Sequence, residues 1–205
     1  DGLPSDDPQS YSVDTTIDYQ ATLDSSLYWI VPDTKISADI NILKSNNNVA
    51  IEFFDNRIFI AFRTSSSHFA GSSTKMIVLS SDNGEEWDKE IVIEIDRDIR
   101  EPLFSKINNR LMFYYFKAGT SSIKFQPTFT YMIERIRLGE WKKEKQITKL
   151  SSRVFWSMKN RNDQIYVTSY EGEHYQFFGK SNLKARLLQS LDGISFNEIS
   201  SSPQY

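Results

Sequence analysis

Apolar and polar residues alternate in short runs over residues 48–198, and the runs come in pairs split by brief polar breaks. Residues 48–54 and 57–62 are split by Asp55-Asn56, and residues 100–107 and 110–116 by Asn108-Asn109. Residues 153–159 and 164–170 are split by the stretch from Asn160 to Asp163. β-Branched and aromatic runs joined by Asn or Asp turns predict β-hairpins. Arg57, Arg110 and Gln164 open the second run of each pair and lie 53 and 54 residues apart. A third run follows each hairpin, at 75–79, 131–136 and 184–188. An aromatic then closes each unit, and Trp87, Trp141 and Phe196 are spaced by 54 and 55. A fourth, outer strand is predicted at 90–95 and 143–148.

Units of about 50 residues with four short strands are propeller blades. The pattern therefore predicts an all-β fold of β-propeller blades, each a four-stranded antiparallel sheet. About three blades are expected, roughly 48–99, 100–152 and 153–200, within a propeller portion over 28–205. Three blades leave two open flanks, whereas propellers normally have at least four blades. The chain is thus expected to be completed by missing blades or by a second chain, a homodimer of two three-blade halves being one solution. Residues 1–27 are polar and acidic, with Pro4 and Pro8, and predict a flexible leader or a tether.

Composition narrows the function classes. The 205 residues carry 24 Lys+Arg against 27 Asp+Glu, a net charge of −3, which argues against nucleic acid as a partner. There is no cysteine, so disulfides, thiolate metal sites and cysteine nucleophiles are excluded. No apolar run approaches the roughly 20 residues of a membrane helix. The sequence starts at Asp1 rather than Met and reads as a processed or trimmed form. No Gly-rich phosphate loop and no dense metal-ligand motif appears, so neither cofactor nor metal is expected.

The segment from Ser80 to Trp87 matches S-x-D-x-G-x-x-W through Ser80, Asp82, Gly84 and Trp87. Ser190, Asp192, Gly193 and Phe196 make a version one residue shorter, and the middle unit retains only Gly139-Glu140-Trp141. Ser and Asp side chains bond backbone amides in a tight turn, Gly takes positive φ, and the aromatic buries between strands. The motif resembles the Asp-box (bacterial neuraminidase) repeat of the sialidase-like β-propellers, over residues 48–198. The resemblance implies blade architecture, a structural role for the box, and a secreted, cell-surface or periplasmic setting.

In that family the ligand sits at the centre of one face, beside the innermost strands. Arg100 and Arg153 precede the first runs of their units and read as equivalent, with Asn48 as the matching residue of the first unit. Guanidinium groups converging there would grip a carboxylate or sugar hydroxyls. Arg63 and Tyr170 end corresponding strands, and the two histidines, His68 and His174, sit in the loops that follow. Glu171 and Glu173 alternate with Tyr170, so an extended strand places the two carboxylates on one side. Trp156, Tyr115 and Tyr175 are available to stack on a sugar.

Retaining sialidases use a Tyr nucleophile assisted by Glu, an Asp acid/base and three arginines. The resemblance thus makes Tyr170, Glu171 and Glu101 candidate catalytic residues. Arg63, His68, Arg100, Arg153, Trp156, Glu173 and His174 become candidate ligand contacts. The chain departs from the family at Trp29-Ile30-Val31-Pro32, where an Arg-Ile-Pro motif would carry the first arginine. The expected function is hydrolysis or binding of a glycan through the central face. The alternative is a non-catalytic propeller serving protein interaction or a structural surface role.

Overall fold

The computed structural model describes residues 16, 29–31, 36, 39–121, 126–149, 153–172 and 183–203. The predicted leader, Thr16 apart, lies outside the described residues, as do Glu173, His174 and Tyr175. Every regular element among the described residues is a strand, and the strands form three antiparallel sheets. The first contains β1 (Ser45–Phe54), β2 (Arg57–Ser65), β3 (Lys75–Ser81) and β4 (Asp88–Glu94), in that order. The second contains β5 (Ile99–Ile107), β6 (Arg110–Ala118), β7 (Pro127–Arg137) and β8 (Glu140–Trp141), with β9 (Lys145–Gln146) also on β7. The third contains β10 (Val154–Arg161), β11 (Gln164–Glu171), β12 (Lys184–Ser190) and β13 (Asn197–Pro203). These are three blades of a propeller. No helix among the described residues is long and apolar enough to cross a membrane.

Local chemistry explains the hairpins. Asp55 and Asn56, Asn108 and Asn109, and Asn162 and Asp163 all have φ between 49° and 55°. Two left-handed residues in succession make a type I′ turn, whose twist matches the strands it joins. The third turn is therefore only Asn162-Asp163, and Asn160 and Arg161 extend β10 rather than forming loop.

The blades pack face to face, and β6 is buried on both sides. Leu111, Phe113 and Tyr115 join Phe59, Ala61, Met76 and Val78 of blade 1 in one core. Met112 and Tyr114 join Phe155, Ile165, Val167 and Leu188 of blade 3 in another. A polar clamp crosses the first interface. Arg135 Nε donates to both oxygens of the buried Glu90 at 3.1 Å, and Ser80 Oγ donates to Glu90 at 2.7 Å.

That contact corrects the reading of the first box. Ser81, not Ser80, accepts the Gly84 N–H at 2.8 Å. Asn83, not Asp82, accepts the N–H groups of Glu85 and Glu86 at 2.8 and 3.0 Å. In blade 3, Ser190 accepts from Gly193 at 2.9 Å, and Asp192 from Ile194 and Ser195 at 2.8 and 2.7 Å. The two turns are thus equally long, and blade 3 lacks no residue. Ser80 belongs to the clamp and Asp82 is exposed. Gly84 and Gly193 have φ of 77° and 76°. A Cβ on Gly193 would also come within 2.2 Å of Met112 Sδ on the neighbouring blade.

The flank of blade 1 is not bare, as three blades alone would leave it. Ile36 and Ile40, with Ile30, Val31 and Ile42, pack on Ile60, Phe62, Ile77, Leu79 and Trp87. Ile36 forms a single bridge to Trp87, as β4 touches β8 at the next interface. The inner strand stays uncovered on this side, with Val49, Ile51 and Phe53 exposed. Trp156, Leu191 and Ile199 are exposed on blade 3.

Candidate functional site

The inner strands β1, β5 and β10 lie side by side, with β5 in the middle. At one end Asn48 of β1 meets Glu101 of β5, and toward the other Ser105 of β5 meets Asn160 of β10. The strands therefore run in one direction, and their starting ends define one face. Each has an irregularity there, between Asn47 and Ala50, Arg100 and Leu103, and Phe155 and Ser157. A bulge re-aims the side chains around it. Asn48 and Glu101 take φ of 49° and 50°, a left-handed conformation unusual for glutamate. Their side chains bond across the blade interface, Asn48 Nδ2 donating to Glu101 Oε1 at 3.2 Å.

The registers correct the equivalence of the two arginines. Asn47 stands opposite Arg63, Arg100 opposite Phe116, and Val154 opposite Tyr170. Arg100 therefore matches Asn47 and Val154, Glu101 matches Asn48, and Arg153 lies one residue ahead. With a side-chain period of two, such an offset changes the face a residue occupies.

Arg63 is not at the surface. It is 1% exposed, with Nε and Nη2 donating to Asp98 Oδ1 at 3.0 and 2.9 Å and Nη2 donating to the Phe69 carbonyl at 3.0 Å. Thr74 Oγ1 donates to the same carboxylate oxygen at 3.1 Å, and Arg100 Nε pairs with Asp98 Oδ2. Arg63 thus ties blade 1 to blade 2 through a buried ion pair, which overturns its expected place against a ligand. Arg100 keeps a partly exposed side chain. The exposed His68 reaches Asn47, Nδ1 to Nδ2, at 3.4 Å.

A second cluster lies on blade 3. Arg153 Nε and Nη2 donate to Glu171 Oε2 at 3.0 and 2.6 Å. Arg186 Nη2 donates to Glu171 Oε1 at 3.3 Å and Arg186 also pairs with Glu198. Trp156, at the β10 bulge, is 59% exposed and its ring lies 5.6 Å from that of Tyr170. Tyr170 is half-buried against Phe116, Ala118 and Val154. Tyr115, offered by the sequence as a sugar platform, is instead buried in the first interface.

The two carboxyls sit in opposed environments. Burial raises Glu101 above the usual carboxylate range and Asp98 adds to it, against the Asn48 hydrogen bond and the Arg100 charge. Burial also acts upward on Glu171, but the Arg153 hydrogen bond and charge and the Arg186 charge outweigh it and hold Glu171 below its ordinary value. The first group is suited to donate a proton and the second to stay ionised. Sequence reasoning missed Asp98, Arg186 and Glu198 as partners. Asp98 is visible only as a near neighbour of Arg100, while Arg186 and Glu198 are joined by the β12–β13 pairing. No group of three or more His, Asp or Glu among the described residues could hold a metal ion.

No protein-family profile matches this chain, and no curated protein matches it. Solved structures do. One is a family 117 glycoside hydrolase of the marine bacterium Zobellia galactanivorans, at TM-score 0.54 and 11% identity over 75% of this chain and 55% of that one. A second is an α-L-arabinofuranosidase of Fusarium graminearum, at TM-score 0.53 and 14% identity over 77% of this chain and 48% of that one. A third is a GH43 β-xylosidase/α-arabinofuranosidase from a compost microbial metagenome, at TM-score 0.52 and 15% identity over 76% and 59%. The chain spans about half the length of the first two. The likeness establishes the propeller fold. These three glycoside hydrolases are not sialidases, the family that the box suggested.

Proposed function

We propose that the central face of this propeller portion binds a glycan and hydrolyses a glycosidic bond, with Glu101 as the proton donor. The observation that carries this is the half-buried Glu101 carboxyl, raised by burial and held at positive φ by a bulge. Strained backbone of this kind concentrates at functional sites. In the reaction Glu101 gives its proton to the leaving oxygen. The ionised Glu171 accepts a proton from the attacking water, whose oxygen bonds to the anomeric carbon as the glycosidic bond breaks. The exposed Trp156, set against Tyr170, offers an apolar platform for the sugar face.

A neutral glycan fits better than sialic acid. Arg63 is consumed in its pair with Asp98 and Arg153 in its pair with Glu171, so Arg100 is left without the other arginines of a carboxylate grip. Arabinose- and xylose-based glycosides, acted on by two of the similar structures, are the first substrates to try. The Glu171–Arg153–Arg186–Glu198 network favours a second reading, a non-catalytic glycan-binding face in which Glu171 is purely structural. A panel of fluorogenic glycosides separates the two readings. Hydrolysis that falls at least about a hundredfold in Glu101→Gln supports catalysis. Glycan binding without turnover, unchanged in Glu101→Gln, supports the second reading, and neither binding nor turnover refutes both.

A further inference from the structure

The inner-strand bulges of the three blades are built alike and used differently. Asn48 and Val49 together oppose Phe62, Glu101 and Pro102 oppose Tyr115, and Phe155 and Trp156 oppose Ser169. Each inner strand thus carries one extra residue, and Asn48, Glu101 and Phe155 are its matching first residues. Asn48 and Glu101 are left-handed, whereas Phe155 is not and lies in the core of the second interface. The bulge therefore closes without left-handed backbone in blade 3. The strain at Asn48 and Glu101 is not a demand of the repeat, and such strain persists where it serves a site.

That strain brings two side chains together across the first interface, where Asn48 Nδ2 donates to Glu101 Oε1 at 3.2 Å. Arg100, Asp98 and Arg63 are the charged groups that act on Glu101. They are tied to one another, with Arg63 and Thr74 on Asp98 Oδ1 and Arg100 on Asp98 Oδ2. An amide N–H needs a lone pair, which both oxygens of a carboxylate and the carbonyl oxygen of a neutral carboxyl offer. With Oε1 accepting from Asn48, the hydroxyl of the neutral carboxyl is Oε2.

We infer that Asn48 is a positioning residue for the proton donor: its amide holds Glu101 Oε1 from the neighbouring blade and leaves the acidic proton on Oε2 for the leaving oxygen. This role rests on the reading of Glu101 as that donor. A carboxyl with two equivalent oxygens presents its proton on either, and fixing one removes an unproductive arrangement before the substrate arrives. The same amide stabilises the carboxylate left after transfer, since a hydrogen bond to a charged acceptor is the stronger one. Burial raises the Glu101 carboxyl and the Asn48 hydrogen bond opposes it. Asn48 thus tempers the acid as well as aiming it. Asparagine suits the place, because it enters the left-handed region more readily than most residues.

The test is NMR of the whole chain, following the Glu101 carboxyl carbon and the Asn48 side-chain amide through a pH titration. One Asn48 amide proton is expected downfield of solvent-exposed asparagine amides at both ends, moving further downfield as Glu101 ionises. In Asn48→Leu, which keeps the volume and removes the donor, the Glu101 midpoint should rise by at least about 0.5 pH unit. An Asn48 amide that matches exposed asparagines while Glu101 is protonated would overturn the role, and this wild-type measurement needs no variant to fold. An unchanged or lower midpoint in folded Asn48→Leu would also overturn it, since the amide would then be a bystander or take the proton itself. These outcomes stand whether or not any glycoside is hydrolysed, so failure of the Asn48 contact and failure of hydrolysis are told apart. With a hydrolysed glycoside, the alkaline limb of kcat/KM should rise with the Glu101 midpoint in Asn48→Leu, and kcat should fall about tenfold. A limb that stays put while the midpoint rises overturns Glu101 as the proton donor, and with it the part of Asn48 in catalysis.

Discussion

Replacing Asp192 by Asn tests whether the box turn of blade 3 is held by charge. Asp192 Oδ1 accepts two backbone N–H groups, from Ile194 at 2.8 Å and Ser195 at 2.7 Å, and the Ser190 hydroxyl at 3.0 Å. Burial acts upward on this carboxyl, but the Ser195 and Ile194 amides outweigh it and bring it from 3.8 down to about 2. Such a difference is worth at most about 2.5 kcal/mol. Asp192 is only partly buried, and solvent screening brings the contribution to about 1 kcal/mol. Asn keeps the shape and an acceptor oxygen, as Asn83 shows at the same place in blade 1, so the substitution removes mainly the charge. A carboxyl lowered in the folded state stabilises fully above its unfolded value near 3.8, and the gain is lost as pH falls toward 2. Urea unfolding of wild type and Asp192→Asn should therefore differ by about 1 kcal/mol at pH 7 and converge at the acid end. An equal difference at pH 7 and near pH 2 would refute the electrostatic account and leave shape as the cause.

Two further outcomes check the blade packing. Asp98→Asn leaves the guanidinium of Arg63 buried without its counter-charge and should cost about 3–5 kcal/mol in chemical denaturation; a loss below about 1 kcal/mol would show that the pair is not a structural tie. Ile51 and Phe104 occupy the same blade position, six residues before Arg57 and Arg110, yet they are 70% and 7% exposed. Phe104→Ala should cost about 3–5 kcal/mol and Ile51→Thr less than about 0.5 kcal/mol by the same measurement, and comparable losses would mean that Ile51 is covered in solution.

The architecture was legible because its determinants are local and repeated. Asn and Asp pairs set the left-handed turns, the apolar runs between them set the strands, and the recurring aromatic marked each blade. The candidate site was less legible. Arg63 looked accessible because it ends a strand beside a polar loop, and only the arrival of Asp98 from the start of the next blade buries it. Ser80 and Asp82 fit the box pattern, although Ser81 and Asn83 make its turn. The difference of one residue lies in which hydroxyl meets the Gly84 amide, and Ser80 is drawn away by Glu90 and Arg135.

By itself, then, the sequence determined three antiparallel units near 54 residues apart, because turn chemistry and strand alternation act over a few residues. Tertiary structure alone decided which candidate side chains stay exposed and which are consumed in ion pairs. Bulges in the inner strands shift the face a residue occupies, and their positions emerge only when strands pair. Each blade interface joins residues about 50 positions apart, as Asn48 with Glu101 and Glu90 with Arg135. No local pattern announces such partners, because their energy exists only once neighbouring blades exclude water between them.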